Sequence, residues 1–134
     1  MDRKEVMELF NKQPRIGTLS TANKEGAVNV AVFGSPRMID EDNIVMGIGN
    51  NRSFKHLQAN PNAVFIVLEP GKTPMEWKGV RVYLRAEAIE LEGSLIDGIR
   101  ENIAKAAGKQ AAAMIHAGIR FKITEVRPIM DMGR

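Results

Sequence analysis

Cysteine is absent from this 134-residue chain. The absence removes disulfide frameworks, thiolate zinc sites, iron–sulfur clusters and thiol catalysis together, and it fits a reducing compartment such as the cytoplasm. Aromatic residues are scarce at 5%, with one Trp and one Tyr, so the stacking platforms that single-stranded nucleic acid needs are in short supply. Basic and acidic residues number 19 and 16, and the basic ones are scattered instead of forming the stripe that a phosphate backbone demands. The two histidines lack clustered carboxylates, which leaves no metal-ligand pattern. No Gly-x-Ser-x-Gly elbow surrounds Ser20, Ser35, Ser53 or Ser94, and Asp40, Glu41 and Asp42 read as a solvated turn, not a catalytic carboxylate pair. No apolar run approaches the roughly 18 residues of a membrane-spanning helix, and the opening MDRKEVMELF is charged and amphipathic. A cytoplasmic protein that binds neither nucleic acid nor membrane is the expectation.

What remains is an ordinary globular composition, 44% hydrophobic and 26% charged, suited to a single domain over residues 1–134. Asp2 and Glu5 have the spacing of an N-terminal cap, and Val6, Leu9 and Phe10 recur at helical spacing, which predicts a helix over 3–12 that ends before Pro14. Residues 16–21 and 27–33 flank NKEG at 23–26, a hairpin signature. Short strands follow at 37–39 and 44–49, separated by DEDN. AVFIVL at 63–68 is continuously apolar between Pro61 and Pro70, which predicts a central strand buried on both faces. From Val80 to Leu91 apolar and polar residues alternate, and the phase slips after Ala88 to Ile89 and Leu91, the mark of a bulge that curls a sheet. Leu95, Ile96, Ile99 and Ile103 give a helix over 94–107 with Gly108 as its cap, an Ala-rich helix continues to His116, and 119–123 closes the set as a strand. The sum is an α+β fold, a small antiparallel barrel of about six strands with flanking helices.

Chemistry concentrates in VMGIGNNRSFKHLQANP, residues 45–61. In a strand, Val45, Gly47 and Gly49 share one face, which is then nearly bare backbone, as at sites of close approach by a ligand or another backbone. Asn50 or Asn51 caps the helix that follows, so its free N–H groups fall near Arg52 to Phe54. Arg52, Lys55 and His56 share one side of that helix, with Ser53 at its margin, while Phe54 and Leu57 form the opposite, anchoring side. A bend followed by a solvated basic helix accounts for the same residues. Adjacency of the two features favours a planar ligand with a phosphate. Trp77, in the loop GKTPMEWKGV, either covers a barrel end, flanks the ligand or meets a second subunit.

The order of these elements, with the glycine strand running into NRSFKHLQANPNAVFIVL, resembles the FMN-binding split barrels of the pyridoxamine 5'-phosphate oxidase-like family over about residues 6–126. The resemblance implies a six-stranded split barrel that binds FMN as a homodimer, with the flavin near the subunit boundary and outward Arg81, Tyr83 and Arg85 available to the partner. It implies that Val30, Ala31, Val32, Phe33 and Gly34 line the isoalloxazine, and that Met46, Gly47, Ile48 and Gly49 support the ring and ribityl chain. The phosphate falls to Arg52 and Ser53, with Lys55 nearby; Ser53 stands where the family often has a lysine. The chain shows no counterpart of the family's C-terminal WR ending, so vitamin B6 oxidation is not expected. An oxidoreductase or electron carrier of unidentified substrate or redox partner protein follows. The alternatives are a non-catalytic flavin-binding module, or the same barrel holding haem or the deazaflavin F420.

Overall fold

The computed structural model describes residues 1–133. Helix α1 (Arg3–Asn11) starts where the Asp2 carboxylate accepts the Glu5 N–H, and it buries Val6 and Phe10. Strands β1 (Ile16–Ala22) and β2 (Val28–Val32) form the expected hairpin. Its turn is fixed by the Asn23 side chain, which accepts the N–H groups of Glu25 and Ala27, and by Gly26 at a φ of 86°.

The remaining strands are β3 (Arg37–Met38), β4 (Asn43–Ile48), β5 (Asn62–Glu69), β6 (Lys78–Glu90) and β7 (Ala117–Arg127). All seven join one antiparallel sheet in the order β2-β1-β5-β6-β7-β4-β3. The count is seven against the expected total of about six; the strand expected at 37–39 is present as the two-residue β3, secured by Asn11, whose side chain both donates to and accepts from the Met38 backbone at 2.9 Å. Edges β2 and β3 do not pair, so the curled sheet stays open along one split. The bend foreseen in β6 is present as register shifts against β7 at Tyr83/Leu84 and Ala86/Ala88. The core within the curl gathers Leu19, Met46, Phe65, Val82, Ile119 and Phe121.

Two expectations need correction. Strand β5 is interior, between β1 and β6, but buries only Ala63, Phe65 and Val67; Val64, Ile66 and Leu68 are half-exposed because no element among the described residues covers the outward side. The bare face at Gly47 is also occupied, by the chain itself. Helix α3 (Ser94–Ala107) lies across β4 and β7, where Gly47 and Gly118 are cross-strand partners. A Cβ at Gly47 would stand 3.0 Å from the side chains of Ile99, Ile103 and Ile115, and one at Gly118 would stand 2.9 Å from the Ile96 Cα. The glycines therefore let a helix backbone approach a sheet backbone.

Because the obstacle at Gly118 is backbone, Gly118→Ala must lift α3 and is expected to cost about 1–3 kcal/mol, read from the urea midpoint at unchanged slope. Gly47→Ala, opposed only by isoleucine ends, should cost less. The reverse ranking would contradict this packing.

A short helix α4 (Lys109–Ala113) stops three residues before His116, and β7 runs longer in both directions than 119–123. Among the described residues no helix is long and apolar enough to cross a membrane.

Candidate cofactor site

Helix α2 (Arg52–Ala59) begins at Asn51, whose side chain accepts the Phe54 N–H at 3.0 Å. It ends where the Asn60 N–H returns to the His56 carbonyl, just before Pro61. The cap leaves the N–H groups of Arg52 and Ser53 without intrahelical acceptors. Phe54 and Leu57 anchor the helix in the core, as their spacing predicts, while Arg52 and Lys55 are exposed and make no ion pair among the described residues. A positive helix end with two unpaired cations is a ready anion receiver.

His56 departs from the expected basic face. It is buried, with Nδ1 3.0 Å from Thr21 Oγ1 on β1, because α2 lies across the β1–β2 end of the sheet. Ser53 turns the same way: its Oγ is buried and accepts from Asn29 Nδ2 on β2 at 3.2 Å. An anion at this turn therefore meets the Ser53 N–H more readily than its hydroxyl.

Alongside α2 runs the open edge of β2. Val30 and Val32 are 62% and 75% exposed, Ala31 and Phe33 are half-buried, and Gly34 is exposed. Met46 and Ile48 point into the core at 1% exposure each and Gly47 lies beneath α3, so these three fix the level of the strand end from below. Gly49 is half-buried, and a Cβ there would have only ordinary contacts at 3.7 Å. Residues 30–34 on the open edge of β2 and 49–55 at the start of α2 thus form two neighbouring lips, tied by the Asn29–Ser53 bond, while the side chains at 46–48 are not part of them.

Three residues outside the expected set shape these lips. Ser35 Oγ donates to the Gly47 carbonyl at 2.8 Å and accepts the Gly47 N–H at 3.2 Å, satisfying a backbone pair that no strand reaches. Arg15 donates to the carbonyls of Phe10, Gly34 and Pro36 and lies over the Phe10 ring, 4.9 Å from its centroid; burial holds its pKa below the ordinary value. His116 meets Phe54 edge to face at 5.0 Å, and its backbone N–H donates to the Ile48 carbonyl. No local pattern marks any of them.

Trp77 lies elsewhere. With Leu9, Ile129 and Met130 it lines a groove of about 690 Å³ by the Glu69–Lys78 end of the β5–β6 ladder, away from the Asn62 end that follows α2. Its indole N–H donates to the Gly71 carbonyl at 3.2 Å.

A family model described as pyridoxamine 5'-phosphate oxidase matches residues 3–129. Among solved structures, an FMN-binding protein from Syntrophomonas wolfei subsp. wolfei is similar at 26% identity and a TM-score of 0.84, over 96% of this chain and 86% of that one. The haem storage protein HutZ from Vibrio cholerae shares the fold at 15% identity and a TM-score of 0.70, over 96% of this chain and 95% of that one. An F420 reductase does so at 16% and 0.64, over 92% and 94%. No curated protein matches the chain. With nearly its whole length matched, the chain belongs to the pyridoxamine 5'-phosphate oxidase-like family of split barrels.

Proposed function

We propose that this protein binds FMN and uses it in redox chemistry, as an oxidoreductase or an electron carrier. One observation carries the reading: the uncovered, unpaired Arg52 and the free first-turn N–H groups of α2 stand beside an exposed apolar edge strand. That is a receiver for a phosphate next to a surface for a flat ring. The similarity to a protein described as FMN-binding supports the same choice. The residues fit the group: the open edge of β2 along Val30, Ala31 and Val32, with Ala31 on the α2 side and the two valines on the outward side, offers the ring an apolar bed, Phe33 and Gly34 close one end of it, and Arg52 and Lys55 supply the charge. The bound isoalloxazine would supply the electron-transfer chemistry, and the protein its position and surroundings.

We further propose a homodimer. Val28, Val30 and Val32 are 82%, 62% and 75% exposed on the outward face of the sheet, and across Thr18 and Ser20 of β1 the same face carries Val64, Ile66 and Leu68. Such a patch is rare on a monomer, and a second copy laid on it would also exclude water from a ring bed this shallow. Arg81, one of the outward residues, is already engaged, donating to the Pro128 carbonyl and the Tyr83 hydroxyl. The contact therefore rests on the valines.

The test is an absorbance spectrum of the purified protein with mass identification of the extracted chromophore, alongside light scattering. FMN on a dimer is the expected result, and Val32→Asp should yield monomers that hold flavin weakly. Haem or a deazaflavin in the extract, or a flavin-loaded wild-type monomer at micromolar concentration, contradicts the corresponding half of the proposal. Repeated reduction by a nicotinamide nucleotide, with turnover, distinguishes an enzyme from a carrier.

A further inference from the structure

The buried polar residues among those described are Thr21, Ser53 and His56, at 3%, 2% and 9% exposure, and they belong to two neighbouring hydrogen bonds between α2 and the β1–β2 hairpin. Thr21 of β1 and Asn29 of β2 are cross-strand partners. Thr21 bonds His56, and Asn29 bonds Ser53. Ser53 and His56, three apart, occupy the same side of α2. A pair facing across two strands therefore grips a pair one turn apart on a helix. One such bond would leave the helix free to swing about it; two, spaced by roughly 5 Å on both elements, fix its slide and its rotation together.

Buried polar contacts of this kind add little net stability compared with apolar packing, yet they tolerate only a narrow geometry. The anchoring of α2 is already supplied by Phe54 and Leu57. What the clasp adds is register, and it adds it at β2, an edge strand paired only with β1 and carrying three exposed valines.

We infer that Asn29 and Thr21 are positioning residues: through Ser53 and His56 they lock the start of α2 to strands β1 and β2, and so set the preference for a phosphorylated over an unphosphorylated flavin. The inference rests on the FMN reading above. A ribityl chain ties ring and phosphate at a limited span, so the phosphate reaches Arg52 and the free N–H groups only if the turn sits at the right height beside the open edge of β2. Riboflavin, with no phosphate to place, makes no such demand.

The test titrates apoprotein with FMN and with riboflavin for wild type, Asn29→Ala, Ser53→Ala, Thr21→Val, Thr21→Ser and the Asn29→Ala/Ser53→Ala double variant, and follows hydrogen exchange of α2 amides in the same apoproteins. Wild type should prefer FMN. Asn29→Ala and Thr21→Val should each lose about tenfold in FMN affinity and less than about threefold for riboflavin. Thr21→Ser, which keeps the hydroxyl, should retain the wild-type ratio. The double variant should be no worse than the more affected single one, because both remove the same bond. The hydrogen-bonded amides of α2, from Phe54 onward, should exchange faster while those of β5 and β6 do not. Variants that keep the wild-type FMN-to-riboflavin ratio, or unchanged α2 exchange, overturn the clasp and leave the FMN reading standing. A wild type with no preference for FMN overturns both.

Discussion

Arg52→Ala is expected to weaken FMN binding by about 1.5–3 kcal/mol, roughly ten- to a hundredfold, and to leave riboflavin binding nearly unchanged. The side chain is exposed and unpaired, so its loss removes no packing and no internal bond. The Asn51 cap and the Phe54–Leu57 anchor survive, which keeps the helix in place. What disappears is a forked cation at a helix N-terminus, where charge-assisted bonds to phosphate are strongest. Ser53→Ala should act in the same direction and more weakly, through the lost tie to Asn29 instead of a direct contact. Fluorescence titration of apoprotein with both flavins decides the matter: equal loss for the two ligands, or none for either, would mean that the basic turn is only a solvated surface.

Much of this site was legible because its signals are local. Asn51 sits beside the residues it caps, Phe54 and Leu57 recur at helical spacing, and the phase slip near Ala88 lies within a single strand. The clasp was not, since Asn29 and Ser53 are 24 residues apart and Thr21 and His56 are 35 apart, and no periodicity links them. His56 looked like a surface residue because a helix alone does not reveal which strand will cover it. Gly47 was misread for a related reason. Missing side chains announce a close approach, but only the fold shows that the body approaching is α3, lying over Gly47 and Gly118 together. In β5 the continuous apolar run erased the alternation that would have separated an inward face from an outward one, so Val64, Ile66 and Leu68 looked as buried as Phe65. That outward face is the surface on which the dimer is proposed.

Phe65→Ala should be the most damaging single substitution considered, at about 3–5 kcal/mol of a total that is ordinarily about 5–15. The ring is fully buried on β5, with its centroid 5.4 Å from that of Phe10 on α1. It fills the place that a side chain on β1 would need, for a Cβ at Gly17 would stand 2.7 Å from Phe65 Cζ. The Arg15 guanidinium lies 5.6 Å from its centroid and donates to the carbonyls of Gly34 and Pro36. Truncating the ring thus opens a cavity, removes half of the aromatic seat beneath a partly buried cation, and loosens the loop that ends the ring bed. Unfolding in urea should show the loss at an unchanged slope, and flavin affinity should fall even under conditions where the variant remains folded. Adding Gly17→Ala to Phe65→Leu supplies a sharper check. Gly17→Ala alone should be harmful because it collides with the ring, whereas in the Phe65→Leu background the new methyl group has space to occupy, so the double variant should be more stable than the sum of the two single effects. Strict additivity, or a Phe65→Ala penalty below about 1 kcal/mol, would place the aromatic centre of this barrel elsewhere.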